Sequence, residues 1–190
     1  MVDALSGCRR RCSPVLLAAL VGVMVLATAG CGGKSADEKA RETYANSVCV
    51  AIAGWQTQVK GIATDVSAGI SRASLQSKVT RIDSATKSLV QTVKALPPPN
   101  TSQGKATKQQ LDQLDTDLAN TVASIKVVAA GLKADTSAAT IAAAVITLGP
   151  QLQGLATTAQ SSIAALKSSK GAMSKAFKDA ESCQSLGSSS

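Results

Sequence analysis

In four long segments of this chain the apolar residues step by three and four, the spacing that lines one face of an α-helix. The first seam runs through Val48, Ile52, Trp55, Val59, Ile62 and Val66. Ser35 and Glu38 before it are spaced as a capping box, and Gly69 suits the residue just past a helix, so the first helix is predicted from about 35 to 69. The second, Ser71 to Leu96, carries Leu75, Val79, Ile82, Thr86, Leu89 and Val93 until Pro97, Pro98 and Pro99 stop it. A third, Gln103 to Ala134, carries Leu111, Leu114, Leu118, Ile125, Val128 and Leu132, with Thr121 as a polar interruption of the seam. Asp135, Thr136 and Ser137 then open a short alanine-rich helix through Ile141, Val145 and Leu148. Pro150 suits the first turn of a new helix, the last long one, with Leu152, Leu155, Ala159, Ile163, Leu166, Met173 and Phe177 on one side. Its phase carries across Lys167 to Gly171, so a single helix, bent at most, is predicted there.

The expected fold class is therefore all-α. Helices of roughly 26 to 33 residues rising 1.5 Å per residue make a rod about 40 to 50 Å long. Short connections at two of the three junctions favour antiparallel neighbours. The predicted architecture is an antiparallel up-down-up-down four-helix bundle with a short extra helix before the last long helix, occupying residues 36–186 as one domain. Residues 187–190, a glycine and three serines, are expected to be a disordered tail.

The N-terminus has another logic. Arg9, Arg10 and Arg11 precede an apolar run from Pro14 to Ala29 that is short for a membrane-spanning helix and fits an export signal. The run ends in Thr28-Ala29-Gly30-Cys31, followed by Gly32, Gly33, Lys34 and Ser35. Small residues placed just before a cysteine make this segment resemble the signal peptide and lipobox of bacterial lipoproteins, although Thr28 stands where the lipobox most often has Leu. The resemblance covers about the first 35 residues and implies that residues 1–30 are removed. It further implies that Cys31 is diacylated, becomes the first mature residue, and holds the protein on the extracytoplasmic face of the cell membrane through a flexible tether, 31–35. Two or more acyl chains anchor stably where one does not. An ordinary secretory signal with Cys31 left as a thiol, and an uncleaved membrane anchor, are the alternatives.

Cys8 and Cys12 would leave with the signal, so two ordinary cysteines remain, Cys49 and Cys183. An even pair outside the cytoplasm predicts one structural disulfide, with two buried free thiols as the alternative.

The formal net charge is +8, but three positive charges belong to the discarded Arg9, Arg10 and Arg11. The mature chain is only moderately basic and has one Trp, one Tyr and one Phe, which leaves almost no surface for stacking bases. Nucleic acid is not an expected partner. No histidine occurs anywhere, so the usual hydrolytic and metal-dependent kits are missing. Asp112, Asp115 and Asp117 could offer oxygens to a hard cation, yet Asp115 and Asp117 are two apart and face different sides of a helix, so a solvated helix face is expected. Trp55, at a seam position, reads as a core residue rather than a ligand-stacking one. No catalytic residue, cofactor or metal is expected. The function these features favour is a non-enzymatic binding, scaffold or cell-envelope lipoprotein. A carrier of an apolar ligand such as a lipid within the bundle is the alternative, and a hydrolase of unrecognised type is third.

Overall fold

The computed structural model describes residues 33–64 and 71–186. The signal segment, Cys31, the expected end of the first helix near Gly69 and the tail 187–190 lie outside the described residues.

Among the described residues the structure is all-helical, with six helices and no strand: α1 (Ala36–Thr64), α2 (Arg72–Ala95), α3 (Ser102–Ala130), α4 (Ala138–Ser168), α5 (Ala172–Asp179) and α6 (Glu181–Ser185). Short polar side chains start four of them. Ser35 Oγ accepts from the Glu38 N–H at 3.2 Å, Ser71 Oγ from Ser74 at 3.1 Å, Thr101 Oγ1 from Gly104 at 3.0 Å and Ser137 Oγ from Thr140 at 3.3 Å. Each satisfies an amide that the first helical turn leaves without a backbone partner. Gly104 is required where it stands, because a Cβ there would lie 2.0 Å from the Pro99 carbonyl oxygen. That contact folds the proline loop back onto the start of α3.

The seams supply the core. Val48, Ile52, Trp55, Val59 and Ile62 of α1 are buried, as are Leu75, Val79, Ile82, Thr86, Leu89 and Val93 of α2. On α3 the stripe is Leu111, Leu114, Leu118, Val122, Ile125 and Ala129. Val122 therefore takes the place expected of Thr121, whose hydroxyl instead donates to the Asp117 carbonyl oxygen within its own helix at 2.9 Å. The seam needs no polar interruption. α1 packs on α2, α2 on α3 and α3 on α4, while α5 and α6 both return to α1.

Two features depart from the sequence reading. Pro150 does not begin a helix: it lies inside α4, which continues from Ala138 to Ser168, so there is no separate short helix before it. Proline in a helix interior costs about 3 kcal/mol through a lost hydrogen bond and a clash. Here Pro150 and Ile146, four residues earlier, are both exposed, so the carbonyl that loses its partner lies toward solvent. On the opposite side Ala144, Leu148, Leu155, Ala159, Ile163 and Leu166 stay in phase and buried. Each fully buried Leu or Ile is worth roughly 1.5 to 3 kcal/mol, so the stripe outweighs the proline.

The chain breaks instead where continuity was predicted, at Ser169–Gly171. Gly171 has φ 107, a conformation that side chains disfavour, and a Cβ there would meet Gln103 Nε2 at 2.2 Å. The same Gln103 reaches from the first turn of α3 to accept the Met173 N–H at 3.2 Å, acting as a cap from another helix for α5. Ser174 Oγ donates to the Lys167 carbonyl oxygen at 2.6 Å across the bend. The last segment thus becomes α4, α5 and α6, and its turn brings Met173, Ala176 and Phe177 into the core.

Among the described residues α4 is also long and apolar enough, by length and composition, to cross a membrane. Its Leu148, Leu155, Ile163 and Leu166 are buried in the helical core.

Candidate functional site

Cys49 of α1 and Cys183 of α6 are joined in a disulfide with their Cα atoms 5.0 Å apart. Both are fully buried. The bridge is reinforced by Ser182, whose hydroxyl donates to Asn46 Oδ1 at 2.6 Å, and by Lys167, whose ammonium donates to the Cys183 carbonyl oxygen at 2.5 Å. Of the residues singled out in the sequence, these two are brought together and Cys31 lies outside the described residues. Trp55 is a core residue as expected, 3% exposed, with its indole N–H donating to Thr86 Oγ1 at 3.1 Å. That bond explains how a threonine sits in the α2 seam without an orphaned hydroxyl oxygen.

Charges near the start of α1 neutralise one another. Lys34 pairs with Glu42, Lys175 lies 3.7 Å from Glu38 and 2.6 Å from Asp179, and Lys108 lies 3.0 Å from Asp112. The hydrogen bond from Lys175 holds Asp179 below the usual carboxylate range and raises the ammonium itself. Tyr44, buried nearby, is pushed up to about 12 by burial and then by the charge of Asp112. Its hydroxyl stays protonated.

The three aspartates of α3 do not form a cation site. Asp112 pairs with Lys108, Asp117 accepts from Gln113 Nε2 at 2.9 Å, and no group of three His, Cys, Asp or Glu gathers among the described residues. The expectation of a solvated face fails for Asp115, which is only 5% exposed and whose Oδ2 has no hydrogen-bond partner. Helical phase decides this: Asp115 adjoins Leu114 and precedes Leu118 by three, so it shares the edge of the buried stripe.

Asp115 stands in the wall of a groove between α2 and α3 of about 900 Å³. The groove arises because each helix offers a second stripe beside its core stripe. Asp83, Thr86, Lys87, Val90, Gln91 and Lys94 on α2 face Ala119, Val122, Ala123, Lys126 and Val127 on α3, and the alanines are too short to fill the space. One end is closed electrostatically: Asp83 Oδ2 accepts from Lys87 at 2.9 Å and from Lys126 at 3.4 Å. The Lys87 hydrogen bond is the main cause that holds Asp83 below its ordinary range. At the other end Asp115 moves oppositely, up to about 6, chiefly through desolvation and further through Asp112, while Lys94 and Lys108 pull it back. Two carboxylates on one groove are thus driven apart by their surroundings.

A pH dependence follows. In the unfolded chain Asp115 binds its proton near 3.8, and in the folded protein near 6. Between those values the native state holds more protons, so this group makes stability fall as pH rises from about 4 to about 6. The cost at pH 7 is at most about 3 kcal/mol. Asp115→Asn should therefore be more stable than the parent at pH 7 by about 1 to 3 kcal/mol, with the difference closing below pH 4. Urea denaturation of both proteins across that range measures it, and a difference independent of pH would contradict the assignment.

No protein-family model matches this chain, and neither does any curated protein or solved structure.

Proposed function

We propose that this protein is a lipid-anchored helical bundle on the extracytoplasmic face of a membrane, acting as a binding, scaffold or cell-envelope component. The observation that carries the reading is the Cys49–Cys183 bridge. Disulfides persist in oxidising compartments, so a buried structural bridge supports export, in agreement with the charged, apolar and small-small-cysteine order of the first 31 residues. Lipid on Cys31 would hold α1, which begins at Ala36, close to the bilayer.

The finer arrangement proposed is an antiparallel up-down-up-down bundle. What supports it is the order of cross-helix partners. From Arg72 to Gln76 to Asp83 along α2, the partners run backwards from Leu132, just past the end of α3, through Ala129 to Lys126 within it. Bringing Asn46 of α1 beside Ser182 of α6 closes the bundle in the same sense.

A second reading, carriage of an apolar ligand, is favoured by one feature, the α2–α3 groove. It is a groove between two helices, open to solvent, rather than the gap inside the bundle that the sequence suggested.

Intact mass of the protein extracted from membranes tests the anchor. The expected species begins at Cys31 and carries lipid, and Cys31→Ala should release the protein from membranes. An unmodified mass starting at another residue would overturn the proposal.

A further inference from the structure

The groove between α2 and α3 is asymmetric. From Asp115 to Val127 it runs along thirteen residues of α3, about 18 Å. Its floor is apolar, the buried Val122 and the half-buried Val90, with the exposed Ala119 and Val127 at the rim, and its two ends carry charge. At one end Asp83, Lys87 and Lys126 satisfy each other. At the other, Asp115 Oδ2 is buried without a partner, and Lys94 makes no ion pair among the described residues although its charge is felt at Asp115. A donor-only group and an acceptor-only group thus flank the same stretch of groove without meeting.

That pair of groups selects a ligand head. An ionised carboxylate only accepts and an ammonium only donates, whereas a hydroxyl does both. A cationic head would satisfy Asp115 and be repelled by Lys94; an anionic head would do the reverse. A neutral hydroxyl suits both, and the broad torsion of the aspartate carboxyl lets either oxygen turn toward it. The apolar floor then takes a chain rather than a polar body, and the volume lies within the range of small-molecule sites.

We propose that the α2–α3 groove binds an aliphatic alcohol, its hydroxyl seated between Asp115 and Lys94 and its chain lying over Val90, Val122 and Val127. The proposal rests on the reading of the groove as a ligand carrier and names the head group it takes. Because a site built to hydrogen-bond a hydroxyl strongly rejects analogues that lack one, the head group should dominate selectivity.

The test titrates the purified full-length chain with 1-octanol, octylammonium and octanoate, three probes of equal chain length, by calorimetry. Emission of Trp55, the single tryptophan, gives a second readout, since its indole is bonded to Thr86 in the groove wall. Saturable binding of 1-octanol at least tenfold tighter than either charged probe is expected. Asp115→Leu should weaken it at least tenfold with far-UV circular dichroism unchanged, and Ala123→Trp, which fills the groove from an exposed position, should abolish it. Equal affinity of the parent and Asp115→Leu for 1-octanol would overturn the head-group assignment. Tighter binding of octylammonium would also overturn it while leaving the carrier reading intact. Absence of binding by all three probes would remove both.

Discussion

Replacing both Cys49 and Cys183 by alanine will cost the folded protein about 4 to 5 kcal/mol. The two cysteines are 134 residues apart, so the bridge closes a loop of nearly the whole described chain. In the chain-entropy account a loop of that length restricts the unfolded state by about 5 kcal/mol, a large share of the 5 to 15 kcal/mol by which domains are usually stable. The loss should appear at a particular place as well. α6 is only five residues long and has no side-chain cap at its start, so without the bridge it depends on the burial of Leu186, the Ser182–Asn46 hydrogen bonds and the Lys167 ammonium on the backbone carbonyl oxygen of residue 183. Urea denaturation of the double variant, with hydrogen exchange of residues 181–186, measures both parts. A loss under about 1 kcal/mol would mean that the unfolded chain is already compact enough for the bridge to add little.

Phe177→Ala is the second large effect, about 3 to 5 kcal/mol. Phe177 is the only phenylalanine in the chain and is fully buried, carried by an eight-residue helix that packs on α1, α4 and α3. α5 cannot rely on its own length for stability, since isolated helices shorter than about 12 residues are marginal in water. Its place depends on the ring, on Met173 and on the Gln103 cap. Phe177→Leu should cost much less, about 1 kcal/mol, because it keeps most of the buried volume. If the alanine variant loses no more than the leucine variant, α5 is not part of the load of the core, and the bend at Gly171 serves some other purpose.

Both effects belong to a part of the molecule that was only half legible from the residues. The seams of α1 and α2 could be read directly, because their apolar residues are spaced so regularly that only one helical face can be buried. Thr121 and Val122 show the limit of that reading. Steps of three and four are both compatible with 3.6 residues per turn, and only the position of α2 and α4 around α3 decides which neighbour turns inward. Pro150 is a second case. A proline is a good first-turn residue in isolation, but a buried stripe on the opposite face lets α4 run through it.

Gly171 and Asp115 were harder still. The phase of the apolar residues is the same whether or not the chain turns at Gly171, so periodicity could not reveal the turn; a glycine beside Lys170 and Ser169 was the local sign of it. Asp115 looked like one of three solvated aspartates, because spacing along one helix says nothing about the helix beside it. Its neighbour Leu114 and the shortness of Ala119 were the available clues, and they become meaningful once α2 is alongside.

The sequence by itself determined the helical class and most of the core, because hydrophobic periodicity is a property of the chain alone; the pairing of Cys49 with Cys183 was an expectation that leaned on the export reading of the other three cysteines. Tertiary structure decided where the last segment breaks, where the bridge fastens it, and that Asp115 is buried without a partner in a groove. Those outcomes depend on what each helix meets across a distance of tens of residues, and a one-dimensional pattern does not contain that information.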